Sequence, residues 1–154
     1  MVRIRLYFEV SQDETLNKKF GSSCEIIRLR AGARFKLENG NWSDAYNSII
    51  DTGAYVSLIP KSIWQEALHE KISEHKIKGI QKSEECTIPV IVGKVICVLA
   101  DRYGNVSEEM KIHAFLAKTD SVPLILGFKD LLSKFEINFN YKDRTATAES
   151  LDNI

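Results

Sequence analysis

One carboxylate in this chain occupies a position from which a side chain can do acid–base chemistry. The sequence Asp-Thr-Gly-Ala starts at Asp51 and lies between two apolar runs, 49–50 and 55–60. Asp and Gly favour tight turns, and short apolar runs of this kind favour buried strands. Thr52 can brace the turn through its hydroxyl, and Gly53 allows other backbone to come close above the carboxylate. The pattern predicts a carboxylic acid on a strand-to-strand turn, available for proton transfer.

An ordinary surface turn is the alternative interpretation of these residues. Asp and Gly are common in turns for backbone reasons that require no catalytic role. Turns of that kind generally have polar neighbours, whereas the apolar runs on both sides of Asp51 draw its carboxylate toward the core. The apolar surroundings therefore favour a functional turn over a plain one.

A second apolar feature lies downstream at 122–132. Its residues indicate a buried strand that ends at Leu126, a break at Gly127 and a short helix to about Phe135. With the two features in this order, the chain resembles the retropepsin-like aspartic proteases, the single-domain family of the retroviral enzymes and their cellular and prokaryotic relatives. In that family an Asp-Thr-Gly-Ala turn is followed by a flap hairpin, an Ile-Leu-Gly strand end and a short helix.

The resemblance covers roughly 35–148 and is patchy between the two motifs. It implies one mostly-β domain over residues 1–154: a retropepsin-like acid protease β-barrel with one or two short helices. It also implies an active site at a two-fold dimer interface, with Asp51 as the catalytic residue. Neither a metal ion nor an organic cofactor is implied.

Peptide hydrolysis by this route requires two carboxylates in one site. Like charges at close range cannot both ionise, so the pair holds one proton. The ionised member takes a proton from a water held between the two, and the protonated member hydrogen-bonds the scissile carbonyl. The chain carries a single Asp-Thr-Gly. A symmetric homodimer is therefore expected to bring Asp51 next to its symmetry mate.

The resemblance also assigns supporting roles around the catalytic residue. Thr52 is expected to grip its counterpart across the dimer interface, and Gly53 to offer its carbonyl to the substrate backbone. The residues expected to support the active turn and the substrate backbone are Thr52, Gly53 and Ala54. Those expected to pack beneath the turn are Leu126 and Gly127. Those expected to form the flap over a polypeptide substrate are Ile77, Lys78, Gly79, Ile80 and Gln81.

Two departures from the family pattern affect these expectations. The flap segment 77–90 has one glycine, Gly79, and a charged tip at 82–85, so an ordinary exposed hairpin is the alternative there. Tyr55 and Phe128 stand where the retroviral enzymes have an acid and an arginine that pair. Because both members are aromatic here, an apolar contact between them is expected to fill the same space.

Composition and charge restrict the remaining possibilities. The 154 residues suit one domain, and 44% apolar residues can fill one core. Twenty-one basic residues balance 21 acidic ones, which disfavours a nucleic-acid partner or an anionic membrane surface. No segment has the length of a membrane span, and the start of the chain predicts a strand instead of a signal peptide. We therefore expect a cytoplasmic protein.

The three cysteines do not predict a metal site or a disulfide framework. Cys24, Cys86 and Cys97 are odd in number, and no Cys-x-x-Cys pair occurs. Reduced thiols are the expected state in the cytosol. A nucleophilic pair of Cys86 with His75 or His113 is the alternative, without a local signature to favour it.

Periodicity predicts many short strands and two short helices, which is typical of a mostly-β domain. The expected loop is 11–23, and the expected helices are 60–68 and the one after Gly127. The expected strands and hairpins are 2–10, 24–29, 33–37, 45–50, a hairpin over 77–92, 94–100, 106–117, 136–141 and 145–148.

A homodimeric aspartic endopeptidase is the function that these observations favour. The alternative is a retropepsin-like module with weak or no catalysis, used for dimerisation or peptide binding, which the polar flap tip favours. A small-ligand-binding β-barrel is a third possibility that depends on the β pattern alone.

Overall fold

A computed structural model describes residues 1–78 and 87–151, and for Lys78 it describes the backbone alone. The protein is mostly β, as predicted. The described strands are β1 (Arg3–Gln12), β2 (Glu25–Phe35), β3 (Tyr46–Ile50), β4 (Ser57–Ile59), β5 (His69–Lys78), β6 (Thr87–Ala100), β7 (Met110–Ala117), β8 (Ile125–Leu126), β9 (Phe135–Asn140) and β10 (Thr145–Ser150). The helices are α1 (Glu14–Phe20), α2 (Lys61–Glu66) and a 3₁₀ turn at Leu132–Lys134.

The strands form one sheet in the order β5-β6-β7-β4-β8-β3-β2-β1-β10-β9. Because β6 also pairs with β2, the pairings among β2, β3, β8, β4, β7 and β6 close into a ring. Two pairings in this ring are parallel, β3 with β8 and β4 with β7. The β3–β8 contact brings the Asp51 region against the segment that ends in Gly127. The acid-protease barrel implied by the resemblance stays a prediction.

The core follows from the alternation of side chains along the strands. In β2, Ala31, Ala33 and Phe35 are fully buried, and the residues between them are partly exposed. The strand β7 alternates in the same way, with Ile112 and Ala114 buried. Each large apolar side chain buried in this manner contributes about 1.5–3 kcal/mol. These residues belong to one cluster that also includes residues of β1, β6 and β8.

The prediction of a loop over 11–23 is wrong, because this segment contains α1. Asp13 caps the helix by accepting a hydrogen bond from the Leu16 N–H at 3.0 Å. Gly21 ends the helix in the left-handed conformation, with φ 67°. The polar composition of the segment concealed the helix, although its cap residues are present in the sequence.

Other element boundaries differ from the predictions in physically simple ways. The two strands expected over 24–29 and 33–37 are one continuous strand, β2, because Ala31 and Gly32 continue the pairing. The hairpin expected over 77–92 begins earlier, at His69, and its predicted tip lies outside the described residues. The helix expected after Gly127 is only the 3₁₀ turn.

No helix in the described ranges is both long enough and apolar enough to cross a membrane.

Candidate active site

Asp51 follows β3 directly, and its backbone is fixed by the neighbouring strand. Ile50 pairs with Leu126 in the parallel β3–β8 contact. The Asp51 N–H donates to the Leu126 carbonyl at 3.1 Å, which extends the pairing by one residue. The sequence placed a carboxylate on a strand-to-strand turn, and the structure has it at the end of β3, half-buried.

The turn itself is closed by hydrogen bonds to Asp51. The Ala54 N–H donates to the Asp51 carbonyl at 3.1 Å. The Gly53 N–H donates to carboxylate Oδ1 of Asp51 at 2.8 Å, which orients the acid. A Cβ at Gly53 would lie 3.2 Å from that same oxygen and would crowd it. A residue without a side chain therefore leaves the carboxylate both held and accessible.

Gly127 packs against the turn that follows Asp51. The resemblance implied that Leu126 and Gly127 would pack beneath this turn. A Cβ at Gly127 would lie 2.9 Å from the carbonyl oxygens of both Ala54 and Tyr55. Those two carbonyls accept hydrogen bonds from the next two backbone N–H groups of the Gly127 segment, at 3.1 and 2.6 Å. The two apolar features that the sequence singled out are thus in direct contact, and only glycine fits at their closest approach.

Ser57 is a site residue that the sequence reasoning missed. It is fully buried, and its Oγ accepts a hydrogen bond from the Gly127 N–H at 3.0 Å. A hydroxyl inside the apolar run 55–60 is the signal that could have indicated it, because a buried hydroxyl requires a partner. Ser57 thereby supplies a partner for the backbone N–H of Gly127.

Thr52 is exposed, and the turn does not depend on its hydroxyl. Within residues 1–78 and 87–151 this hydroxyl has no hydrogen-bond partner. The bracing expected of Thr52 comes instead from the backbone N–H groups of Gly53 and Ala54. The hydroxyl is therefore available to a group outside the described chain.

Two grooves adjoin the turn. The Ala54 groove has a volume of about 650 Å³, and the Asp51 groove about 380 Å³. The Ala54 groove is lined by Ala54, Tyr55, Val56, Leu58, His75, Lys76, Ile77, Phe115 and Ile125. The Asp51 groove is lined by Phe8, Ile27, Arg28, Leu29, Ile49, Ile50, Asp51, Thr52, Ile137, Phe139 and Tyr141.

The predicted flap borders the Ala54 groove where the structure describes it. Ile77 lines this groove and pairs with Ile88 across the β5–β6 hairpin, and the backbone of Lys78 continues the pairing. The remaining flap residues of the prediction, Gly79, Ile80 and Gln81, lie outside the described residues. Ile77 therefore borders the same groove as Ala54 of the turn, and the flap stays a prediction.

The expected contact between Tyr55 and Phe128 takes another form. The group over the Tyr55 ring is the ammonium of Lys129, 5.7 Å from the ring centroid. Phe128 instead contributes its backbone N–H to the carbonyl of Ala54. A cation–π contact and main-chain hydrogen bonds thus replace the expected pair of aromatic rings.

Most other aspartates that the structure describes are hydrogen-bonded away from the turn. Asp101 has a lowered pKa: burial raises it, but donors from Arg5, Asn105 and Tyr103 outweigh that effect. The backbone N–H of Ser62 lowers the pKa of Asp120, and that of His113 lowers the pKa of Asp130. The aspartates that accept hydrogen bonds elsewhere are Asp13, Asp101, Asp120, Asp130 and Asp143. Asp44 is exposed, and Asp51 is the only acid among the residues that line the Asp51 groove.

The thiols described by the structure do not form a nucleophilic site. Cys97 is fully buried, and burial raises its pKa to about 12. The rings of His75 and Phe115 stack at 5.6 Å, and His113 lies against Asp130. Cys86, the thiol of the alternative Cys/His pair, lies outside the described residues. Among the described residues, no group of three or more His, Cys, Asp and Glu side chains is placed to hold a metal ion.

The chain matches no protein-family model, and no curated protein sequence matches it. The case for a function therefore depends on the geometry of this site.

Proposed function

We propose that the protein is a homodimeric aspartic endopeptidase of the retropepsin-like class. One observation carries the proposal: the Asp51 carboxylate is held by the Gly53 N–H on a turn locked by Gly127, beside a groove wide enough for a peptide side chain. A plain surface turn would not require a second segment packed so closely that a single Cβ is excluded.

Catalysis in this proposal uses one Asp51 from each copy. The pair shares a single proton, because two adjacent carboxylates cannot both ionise. The ionised member removes a proton from a water, which attacks the peptide carbonyl carbon. The protonated member hydrogen-bonds the carbonyl oxygen, and a proton then passes to the leaving nitrogen. The hydrogen bond from Gly53 fixes the orientation of each carboxylate for these transfers.

The Ala54 groove is the proposed site for a substrate side chain. Its walls are mainly apolar, with Val56, Leu58, Phe115 and Ile125 on strands or next to them. Gly53 is exposed beside it, so its carbonyl can accept a hydrogen bond from an extended peptide. A peptide in this position would lie between the turn and the stems of the β5–β6 hairpin.

A digest of a peptide library tests the proposal. The wild-type chain is expected to cleave at sites with an apolar side chain, and a pepstatin-type inhibitor is expected to block cleavage. Asp51→Asn should be inactive with an unchanged fold by circular dichroism. Cleavage retained by Asp51→Asn would contradict the proposal, and so would peptide binding without any cleavage by the wild-type chain. The latter result would favour the non-catalytic binding module.

A further inference from the structure

We propose that a third groove, away from the Asp51 turn, binds a small organic anion through its carboxylate or phosphate group. The groove has a volume of about 390 Å³, which is within the range of small-molecule sites. It is called the Arg102 groove here, and its lining includes Tyr7, Glu9, Arg30, Gly32, Asn47 and Arg102.

The Arg102 groove is separate from the two grooves at the Asp51 turn. Its described lining shares no residue with the Ala54 groove or the Asp51 groove. Tyr7 pairs with Arg30, whereas the next pair along the same strands, Phe8 with Leu29, lines the Asp51 groove. Successive side chains of a strand point to opposite faces of the sheet. Tyr7 and Arg30 therefore lie on the opposite face of the β1–β2 ladder from Phe8 and Leu29.

The Arg102 guanidinium is the cation that this groove offers to a ligand. It lies 4.7 Å from the Tyr7 ring centroid, and its Nε donates to the Tyr7 hydroxyl at 3.2 Å. Within residues 1–78 and 87–151, no carboxylate forms an ion pair with Arg102, and its two terminal nitrogens have no hydrogen-bond partner. These two nitrogens can donate together to the oxygens of one carboxylate or phosphate group.

The turn that carries Arg102 is anchored to β1, which holds the guanidinium in place. Asp101 accepts hydrogen bonds from the backbone N–H groups of Arg5 and Tyr103, both at 2.9 Å. The Arg5 guanidinium lies 4.5 Å from the Tyr103 ring centroid, which mirrors the stacking of Arg102 on Tyr7. Strand and turn thus each contribute one arginine and one tyrosine to a reciprocal pair of stacks. A side chain that is already held loses little freedom when a ligand binds.

The charge of the groove favours an anion. Arg30 donates to both carboxylate oxygens of Glu9, at 2.7 and 3.1 Å, so these two charges cancel. Two arginines against one glutamate leave one positive charge among the described lining residues, and Arg102 supplies it. The exposed Asn47 amide has no hydrogen-bond partner among the described residues and can add a donor.

Gly32 leaves room for the body of the ligand. It pairs with Asn47 on one side and with Ala100 on the other, and a Cβ there would lie 2.7 Å from the Ala100 carbonyl oxygen. Only glycine fits this approach, so the row of side chains on this face of β2 has a gap next to Arg30. The Tyr7 ring adds apolar surface to the groove, which favours an anion with a flat apolar body over an inorganic one.

An NMR titration of the ¹⁵N-labelled full chain tests the inference. The probes are benzoate for a carboxylate ligand, phenyl phosphate for a phosphate ligand, and benzyl alcohol as the neutral analogue. At least one anion should bind saturably and shift the amide signals of 30–32, 45–47 and 101–103, whereas benzyl alcohol should not. The anion that binds more tightly identifies the acidic group that the groove takes. Saturable binding of neither anion, or shifts confined to other parts of the chain, would overturn the proposal.

Arg102→Gln should raise the Kd of the bound anion by about 10-fold or more, because a charge-assisted pair of hydrogen bonds is lost. Arg102→Lys should recover only part of the affinity, since an ammonium keeps the charge without the fork. Arg3→Gln is the matched control: Arg3 is exposed on β1 and lines none of the three grooves. It should leave the Kd within about two-fold of wild type.

An unchanged Kd for Arg102→Gln, or an equal loss for Arg3→Gln, would contradict a site at Arg102. Circular dichroism establishes that each variant is folded, and Asn47→Ala, which should also weaken binding, serves if Arg102→Gln does not fold. Asp51→Asn should bind the anion as tightly as wild type, because the groove shares no described residue with the turn. Failure of the protease proposal would therefore leave this inference standing.

Discussion

The two grooves beside the Asp51 turn share one backbone turn and differ in almost everything else. The Ala54 groove is the larger, is basic, and is bordered by the stems of the β5–β6 hairpin. The Asp51 groove is smaller, carries no net charge, and has an aromatic wall tied in place by Arg144 and Glu25. An open, larger groove suits a variable substrate, and a rigid, neutral one suits a surface that must always meet the same partner.

In the proposed dimer, this difference shows how each chain holds half of a catalytic site. Ala54 lines one groove, and Asp51 with Thr52 lines the other, so the proposal assigns a separate task to each groove. If the division is correct, substitutions in one groove change association, substitutions in the other change peptide use, and substitutions in the turn change catalysis alone.

The largest effect is expected at Asp51, the proposed catalytic residue. Asp51→Asn should lower the rate of peptide hydrolysis by at least about 10³-fold, because an amide cannot act as the base. The dimer should persist or become tighter, since two repelling charges are removed. Activity and sedimentation are measured on one sample. Loss of the dimer together with activity would break the proposed separation of the two tasks.

A substitution beneath the turn should affect both grooves. Gly127→Ala places a methyl group 2.9 Å from two carbonyl oxygens, so the turn must shift. We expect a loss of about 1–3 kcal/mol in unfolding free energy and reduced activity in the remaining folded protein. Gly53→Ala is the comparison, because its Cβ meets only Asp51 Oδ1 at 3.2 Å. It should reduce activity with little loss of stability in urea unfolding.

A substitution in the wall of the Ala54 groove should separate peptide binding from dimerisation. Phe115→Ala removes an aromatic wall and is expected to raise KM by about 10-fold, equivalent to about 1.4 kcal/mol. The dimer Kd should not change, which sedimentation can establish, with Phe139→Glu showing the opposite pattern. A change in both constants for Phe115→Ala would indicate that the two grooves are not independent.

The smallest effect concerns the anchor between β7 and the Gly127 segment. The backbone N–H of His113 donates to Asp130 at 3.0 Å, and this bond, with the His113 ring at 2.7 Å, lowers the pKa of the Asp130 carboxyl. A lowered pKa in the folded state means that the carboxylate contributes stability above its ordinary pKa of about 3.9. That contribution is lost as pH falls through the lowered value.

Asp130→Asn is the variant that tests this anchor. Its backbone has φ 61°, which asparagine tolerates, so the substitution isolates the charge. We expect it to cost about 1 kcal/mol at pH 7, with the difference from wild type disappearing in strongly acidic solution. Urea unfolding of both proteins between pH 7 and pH 2 measures it. A difference that stays constant across this range would rule out the carboxylate as its source.

The local parts of the site were predictable from the sequence, because short-range chemistry determines them. The Asp51 turn is determined by Asp and Gly next to apolar strands. The break at Gly127 is determined by a glycine that follows a short apolar run. The helix α1 was predictable in principle, since Asp13 and Gly21 are ordinary cap residues. It was missed because its polar residues bury no apolar face that periodicity would reveal.

The long-range parts could not be predicted from one sequence. The contact between Tyr141 and Glu25 joins residues 116 positions apart, and Ser57 meets Gly127 across 70 positions. No local pattern encodes such pairs, because they depend on the order of strands in the sheet. Tyr141, which lines the Asp51 groove, is held by such a contact, so this part of the groove could not be predicted from the sequence.

The central claim is that each active site takes one Asp51 from each of two chains. Mixing wild type with an excess of Asp51→Asn, after time for the subunits to exchange, tests it most directly. In an equimolar mixture about a quarter of the dimers would carry two intact carboxylates. Peptidase activity per wild-type chain should therefore fall by about half in that mixture and approach zero in excess Asp51→Asn. Unchanged activity per wild-type chain at every ratio would contradict the shared site.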